Sequence, residues 1–389
     1  MSAPIEHWVS TAPFDPERTT SLHSNLSDKL LAASQARLFW WRLKRHRMAV
    51  ISLVVLALAY LGAAFAEFVA PYGLSTRDTS HIFMPPQAIH LFHDGAFVGP
   101  FVYPMKGTLD LDTLERHYAE VRTEPQPIRF FCRSEPYRFW GVIESDLHLV
   151  CPQPGGTLFL LGTDRLGRDM LSRLIFGARI SLTIGLVGVG LSLVLALVFG
   201  GLAGYLGGRT DYWVQRVTEV LRSLPQLPLW LALAAVLPAT LDPLFVYFGI
   251  TLILALLDWP SLARAVRSKL FSLREEDFTA AAEMMGARPS RIITRHLLPN
   301  FASHIIASVT LSIPAMILAE TALSFLGLGL RPPITSWGVL LTEAQNIEAV
   351  ALYPWLLLPM VPVVVSVLAF SFLGDGLRDA ADPFAASAG

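Results

Sequence analysis

The chain has 389 residues, of which 53% are hydrophobic and only 16% charged, and its mean hydropathy is +0.49. That balance excludes an ordinary soluble domain and describes a protein that crosses a membrane several times. A formal net charge of -1 gives no global attraction to nucleic acid, and the two cysteines and ten histidines show no spacing of a zinc site, so neither a metal nor a nucleic-acid partner is expected.

Residues 1–47 are polar and mixed, without a secretory signal pattern, and are expected to form a cytoplasmic tail. The tail closes on the run WWRLKRHR, Trp40 to Arg47, with tryptophans suited to the interfacial belt and basic side chains suited to the cytoplasmic face. The apolar run over residues 48–70 follows at once. At about 1.5 Å per residue it is long enough to cross a hydrocarbon core of roughly 30 Å.

Residues 71–160 are of another kind: polar, aromatic and dotted with Pro and Gly, with no stretch able to span. They read as an inserted domain outside the cytoplasm. Gly99 to Tyr103, Ile128 to Cys132 and Tyr137 to Ile143 are rich in aromatic and β-branched residues and predict short strands, whereas Leu111 to Arg122 predicts a helix. Both cysteines, Cys132 and Cys151, fall here, which suggests a disulfide in an oxidising compartment; two separate buried cysteines are the alternative. A bond closing a loop of about 20 residues would stabilise a small domain by roughly 3 kcal/mol.

The segment LGTDRLGRDMLSRLIFGARISL, Leu161 to Leu182, places Leu166, Met170, Leu171, Leu174 and Ile175 on one helical face. It predicts an amphipathic surface helix over Asp164 to Phe176, capped by Thr163 or Asp164. Five apolar stretches follow: Ile180 to Tyr205, Val214 to Leu237, Leu244 to Ala265, Phe301 to Leu326 and Pro354 to Leu373. The first carries Gly185, Gly188, Gly190, Gly200, Gly201 and Gly204, which would let helices approach closely. The second carries Arg222 and Pro225 and should be kinked. With the span at 48–70, six crossings result, and both termini, including a tail at 377–389, fall in the cytoplasm.

Between the fourth and fifth crossings lies DFTAAAEMMGARPSRIITRHLLPN, Asp277 to Asn300, polar and basic between apolar neighbours. Its apolar positions, Phe278, Ala281, Ala282, Met285, Ile292, Ile293 and His296, recur at three- and four-residue steps and predict two short helices hinged at Gly286 and ended by Pro299. A helix, glycine, helix knob of this kind suits a groove on a soluble partner. Charge fixes its side: Arg264, Arg267, Lys269, Arg274, Arg288, Arg291 and Arg295 lie there, while the opposite-side segments 238–243 and 331–353 hold only Arg331.

Three motifs together resemble the inner-membrane permease subunits of ABC importers, in the C-type of the dipeptide and oligopeptide (peptide/nickel) group. Gly162, Thr163, Asp164, Gly167, Arg168, Asp169, Ser172 and Arg173 match its Gly-Thr-Asp, two residues, Gly-Arg-Asp, two residues, Ser-Arg signature. Ala281, Ala282, Gly286, Leu298 and Pro299 match its cytoplasmic coupling motif, from which Ala280 (for glutamate) and His296 (for isoleucine) depart. The stretch AETALSFLGLGLRPPITSWG, Ala319 to Gly338, is similar to the end of its fifth span and the outer loop.

The resemblance implies an all-α membrane protein with six transmembrane helices of the type I importer permease fold, with a small β-rich or mixed periplasmic insertion at 71–160 and a permease core at 161–376. It implies no catalytic residues. ATP and Mg belong to two separate ATP-binding subunits, since the chain has no phosphate-binding loop of its own. The coupling loop, 267–300, would reach those subunits through Ala281, Ala282, Gly286, Ala287, His296, Leu298 and Pro299. The other implied partners are a homologous permease subunit, a periplasmic solute-binding protein and the lipid bilayer of a bacterial inner membrane. Peptides or peptide-like solutes are the implied cargo, with glycosides or opines as the alternative. An intramembrane enzyme would need paired catalytic groups that Glu320, Asp258 and His304 do not form, and a secondary transporter leaves the basic knob without a role.

Two acids lie within the apolar stretches. Glu320, with Ser324, is a candidate for the translocation path, and a packing role through hydrogen bonds to a neighbouring helix is the alternative. Asp258 is expected to be structural, with Arg264 or Arg222 as its partner.

Overall fold

The computed structural model describes residues 35–381 except 110, 112–115, 239 and 333. Of the two expected tails, residues 1–34 and 382–389 lie outside the described residues. Helix α1, Gln35–Arg45, leads through His46 into α2, Arg47–Ala64, whose first turn is capped by the His46 ring accepting from Ala49 N at 3.1 Å. A single further turn, α3 (Ala66–Val69), ends the first apolar segment.

The chain from 71 to 161 carries seven short strands in three small sheets. β1 (His90–His93) and β2 (Ala96–Val102) form a hairpin whose turn, Asp94–Gly95, has positive φ at both residues, and β5 (Gln126–Pro127) adds to β2. β3 (Met105–Leu109) pairs with β4 (Arg116–Glu120), and β6 (Arg129–Phe139) with β7 (Ile143–Cys151). Cys132 and Cys151 are joined by a disulfide across this last pair, with Cα atoms 6.3 Å apart. The core of the insertion is small: Val102, Ile128 and Leu158, with Val150 and Leu160 against them.

The helix expected over Leu111 to Arg122 is not formed where the chain is described, because residues 116–120 are β4. Their burial alternates residue by residue, Tyr118 covers Gly107 of β3, and its hydroxyl donates to Ile82 O at 2.6 Å. Cross-strand pairing outweighs the weak helical propensity of the segment.

After the insertion comes α4, Met170–Leu206, 37 residues long and so about 55 Å, well beyond a bilayer core. After α5 (Gly208–Ser223) and α6 (Gln226–Ala235) comes α7, Pro243–Leu273, opened by Pro243 with Asp242 accepting from Leu244 N at 2.8 Å. α4 packs along α7 at glycines: a Cβ on Gly200 would stand 2.4 Å from Ala263 O, and one on Gly204 2.9 Å from Arg267 O. Gly185 and Gly188 meet α10 (Leu298–Phe325) at Ile313, Ile317 and Met316, whereas Gly190 has open space around its Cβ direction. α13 (Met360–Ala381) packs between α10 and α2, where Gly376 admits Ala49 and the Tyr60 and Phe370 rings meet edge to face.

Among the described residues five helical segments have the length and hydropathy to cross a membrane: Arg47–Ala64, Met170–Leu206, Pro243–Leu273, Phe301–Phe325 and Pro354–Ala381. The stretch expected as one kinked span over Val214 to Leu237 is instead two helices. Leu224 and Pro225 are extended, so α5 ends at Ser223 and α6 has only 10 residues, about 15 Å. α5 is tied to α7 by a two-point ion pair, Arg267 Nε to Asp211 Oδ1 and Arg267 Nη2 to Asp211 Oδ2, each 2.5 Å.

Candidate functional site

The Gly-Thr-Asp signature is not part of a surface helix. Helix α4 starts at Met170, six residues later than the expected Asp164, and its N-cap is Asp169 and neither Thr163 nor Asp164. Residues 162–169 make a loop wound around the Asp164 carboxylate. Its Oδ1 accepts from Leu166 N (2.7 Å) and Arg168 N (2.9 Å), and its Oδ2 accepts from Arg168 Nε (2.7 Å) and from Arg173 Nη1. Arg173, itself buried, also lies 3.4 Å from Glu343, between α11 (Trp337–Leu341) and α12 (Ile347–Leu352), and Arg168 lies 3.6 Å from the same carboxylate. The signature therefore locks the start of α4 to the loop before the last span.

The remaining signature residues have equally definite places. Gly162 and Gly167 take positive φ, and a Cβ on either would strike a backbone carbonyl, Met84 O or Asp78 O. Thr163 Oγ1 accepts from Met84 N at 2.8 Å and donates to His81 O at 2.5 Å. Asp169 Oδ2 accepts from Ser172 N at 2.7 Å and Ser172 Oγ at 2.6 Å. Burial pushes the Asp169 carboxyl up to about 6, against the pull of the two Ser172 hydrogen bonds.

The knob is built from α8 (Asp277–Met284), Gly286, a turn α9 (Pro289–Arg291) and a π-helical turn, Ile292–Leu297, that runs on into α10. Gly286 has φ +76; its N–H donates to Glu283 O at 2.9 Å, and Ala287 N–H to Ala282 O at 3.1 Å, closing the end of α8. Ala282, Ile292, Leu297 and Phe301 pack with Tyr205, Val266 and Leu270 in one cluster beneath it. The knob is thereby seated on neighbouring ends of α4, α7 and α10.

The buried side of α8 is Thr279 and Ala282, with the Thr279 hydroxyl donating to Leu273 O at 2.9 Å, while Phe278, Ala281 and Met285 are exposed. One expectation for the knob is corrected: Pro299 does not end a helix. It occupies the first turn of α10, where its missing N–H costs nothing, and the break falls two residues later at Phe301 (φ -120, ψ 15). Of the remaining named positions, His296 and Leu298 are half-buried and Pro299 is exposed.

The outer face of the knob carries the apolar tip. Met284 and Met285 are 84% and 80% exposed, Phe278 at the start of the same helix is exposed too, and Arg288, Arg291 and Arg295 are exposed on the turns that follow.

Glu320 and Ser324 are fully enclosed. Glu320 Oε1 accepts from Ser324 Oγ and Ser336 Oγ, both at 2.7 Å, and Oε2 from Ser181 Oγ at 3.3 Å. Ser181 in turn accepts from Trp337 N (3.1 Å), so this acid joins α4, α10 and α11. Asp258 does not pair with Arg264 or Arg222: its Oδ2 is buried with no hydrogen-bond partner among the described residues. Sequence reading missed Glu343, Ser181, Ser336 and the Tyr205–Glu283 contact, since each acts through a partner far away in the chain. Among the described residues no group of His, Cys, Asp and Glu could hold a metal ion.

Two family descriptions match this chain: the binding-protein-dependent transport system inner membrane component over residues 196–386, and the N-terminal transmembrane domain of oligopeptide transport permease C over residues 34–86. The chain is 36% identical over 223 residues to the oligopeptide transport system permease protein OppC of Bacillus subtilis, covering 57% of this chain and 70% of that one. It is 39% identical over 230 residues to the di/tripeptide transport system permease protein DppC of Pseudomonas aeruginosa, with 59% and 73% covered. A longer match, 29% over 352 residues, spans 88% of this chain and 89% of the dipeptide transport system permease protein DppC of Lactococcus lactis. Among solved structures, a chain of the inward-facing MetNI methionine ABC transporter aligns with a TM-score of 0.44 at 20% identity, covering 54% of this chain and 97% of that one. With the signature loop, the knob and the apolar helices all in place, the chain belongs to the family of inner-membrane permease components of binding-protein-dependent ABC transporters, in the C-type branch of its peptide permeases.

Proposed function

We propose that this permease forms half of a heterodimeric pore, with a homologous permease as the other half, and imports peptides or peptide-like solutes handed over by a periplasmic solute-binding protein. Two ATP-binding subunits supply the energy, with ATP and Mg held by them. The observation that carries the reading is the knob: an exposed Met284–Met285 tip on a helix closed by Gly286 and seated on three membrane helices. A push on that tip moves α4, α7 and α10 together, which is how closure of an ATPase dimer would drive rigid-body alternation of the pore.

Six crossings accompany this reading, the α5–α6 pair making the one that neither helix makes alone. Both termini and the knob then face the cytoplasm, and the disulfide-bonded insertion faces the periplasm, in keeping with the basic residues gathered near the knob and with oxidised cysteines away from the cytosol. For Glu320 and Ser324, complete burial and three serine hydroxyls support the packing role over a place in the translocation path.

The test is reconstitution of the assembled transporter in proteoliposomes. Peptide uptake should require ATP and the binding protein, and ATP hydrolysis should rise when loaded binding protein is added. Uptake independent of ATP, driven by an ion gradient, would refute the reading.

A further inference from the structure

The turn between β6 and β7 and the first residue of β7 carry apolar side chains that stay largely exposed among the described residues. Trp140, Val142 and Ile143 are 56%, 82% and 63% exposed, in a domain whose core has few large side chains to spare. Their depth is fixed by contacts to the first span. Trp140 Nε1 donates to Ala64 O at 3.1 Å, Phe139 stacks on Phe65 with ring centroids 5.7 Å apart, and Phe131 meets Phe68 at 6.3 Å.

Ala64 is the last residue of α2, whose 18 residues measure about 27 Å, close to the roughly 30 Å hydrocarbon core. Its carbonyl therefore marks the edge of that core, and the indole bonded to it lies at the same level. Arg179 secures the arrangement: its guanidinium stands 4.2 Å over the Trp140 ring, donates to Ala63 O and Ala64 O at 2.9 and 3.2 Å, and grips Glu67 at two points. The exposed apolar side of α2, Val54, Leu58 and Leu61, continues to Phe65, on which Phe139 at the end of β6 stacks.

We propose that this turn, Trp140 to Ile143, is seated in the interfacial region of the leaflet on the side of the insertion, and holds the insertion down on the bilayer. The occupant follows from continuity with the lipid-facing side of α2 and from side-chain chemistry. A tryptophan with its N–H satisfied, beside an arginine, followed by branched aliphatics, is the composition of an aromatic belt. A protein partner would have to displace lipid from the end of a span to cover the same side chains. The inference rests on α2 crossing the bilayer and is independent of what the importer carries.

The experiment places a nitrobenzoxadiazole fluorophore on Val142→Cys in the assembled transporter; both native cysteines are in the disulfide and do not react. The complex is reconstituted in phosphatidylcholine vesicles with and without lipid bearing a doxyl quencher near the headgroup end of its acyl chain. Seating in the interface predicts blue-shifted emission and a loss of about half of it to the quencher. The same label on Phe97→Cys, at the β1–β2 turn, should be quenched at most weakly. Blue-shifted emission without quenching would mean that a protein covers the turn, and water-like emission without quenching that the turn is free; either overturns the proposal. Ile143→Cys repeats the measurement should labelling at Val142 disturb assembly.

Discussion

Tyr205, in the last turn of α4, donates its hydroxyl hydrogen to Glu283 Oε1 in the knob at 2.8 Å, while its carbonyl oxygen accepts from Arg274 Nη1 at 3.1 Å. The longest membrane helix is thus bonded directly to the helix that carries the docking tip. Glu283 lies three positions after Ala280, where the family glutamate is absent, and supplies an acid to α8 from a different turn.

Tyr205→Phe should keep the fold and weaken coupling. The lost bond is to a carboxylate but partly exposed, so about 1 kcal/mol is the expected size. In proteoliposomes, peptide uptake per ATP hydrolysed should fall severalfold, and Glu283→Gln, which keeps an acceptor, should fall less. An unchanged ratio in Tyr205→Phe would show that the contact transmits nothing.

Gly286 should tolerate substitution according to backbone conformation, not size. No atom lies within 4 Å of the Cβ direction, so the whole cost is the positive φ, about 1–2 kcal/mol for an ordinary residue and less for asparagine. The expected order of uptake is Gly286→Asn above Gly286→Ala above Gly286→Val, with Gly286→Pro, which also loses the N–H that Glu283 O accepts, inactive although inserted. His296→Ile, by contrast, should stay active, because isoleucine is the residue that the family's motif carries at this half-buried position. Uptake by each variant, normalised to the amount in the membrane, checks both statements.

Much of this was legible in the chain because apolar run length and motif spacing are local. The apolar stretches, the break at Gly286 and the membership of the signature residues could be read directly. What could not be read depends on distant partners. Asp164 to Phe176 has a helical stripe, yet Arg173 and the backbone N–H groups of Leu166 and Arg168 capture the Asp164 carboxylate and hold the chain in a loop. Residues 116–120 become a strand because β3 is there to pair with them, and Glu343 joins the signature from nearly half a chain away. Phe278 and Met285 share one apolar repeat with Ala282 and Ile292, and periodicity alone does not say that the first two are exposed and the last two buried.

Asp164→Ala should be among the most destabilising substitutions outside the spans. It leaves Arg173 buried with only Glu343 at 3.4 Å, and breaking a buried pair typically costs about 3–5 kcal/mol. Arg165→Ala removes a mostly exposed arm 3.9 Å from Glu343 and should change stability by about 0.5 kcal/mol or less. Thermal unfolding of the detergent-solubilised complex separates the two; equal melting temperatures would show that the loop does not depend on its central carboxylate.

The disulfide should matter to the insertion and not to the membrane helices. Cys132→Ser with Cys151→Ser releases a loop closed over a sequence separation of 19, worth roughly 3 kcal/mol. The expected outcome is faster proteolysis within residues 71–160, with intact spans and normal assembly. Alkylation of unreduced, denatured wild-type protein should find no free thiol; two reactive thiols would overturn the bond.

Asp169 gives the signature loop a pH dependence of known sign. Burial raises its folded pKa to about 6, above the ordinary aspartate value, so the folded state binds a proton more tightly than the unfolded chain does. The stability that this proton contributes is fully present below the unfolded pKa, and it is lost as pH rises through about 6. Asn in its place still offers an oxygen to Ser172 N and Ser172 Oγ but cannot ionise. Between about pH 5 and pH 7, wild type should therefore lose stability relative to Asp169→Asn, by no more than a few kcal/mol at the upper end. Melting temperatures of both proteins across that window decide the matter: parallel curves would mean that Asp169 does not titrate there in the folded protein, and a wild type that gains on the variant with rising pH would reverse the sign argued from its burial.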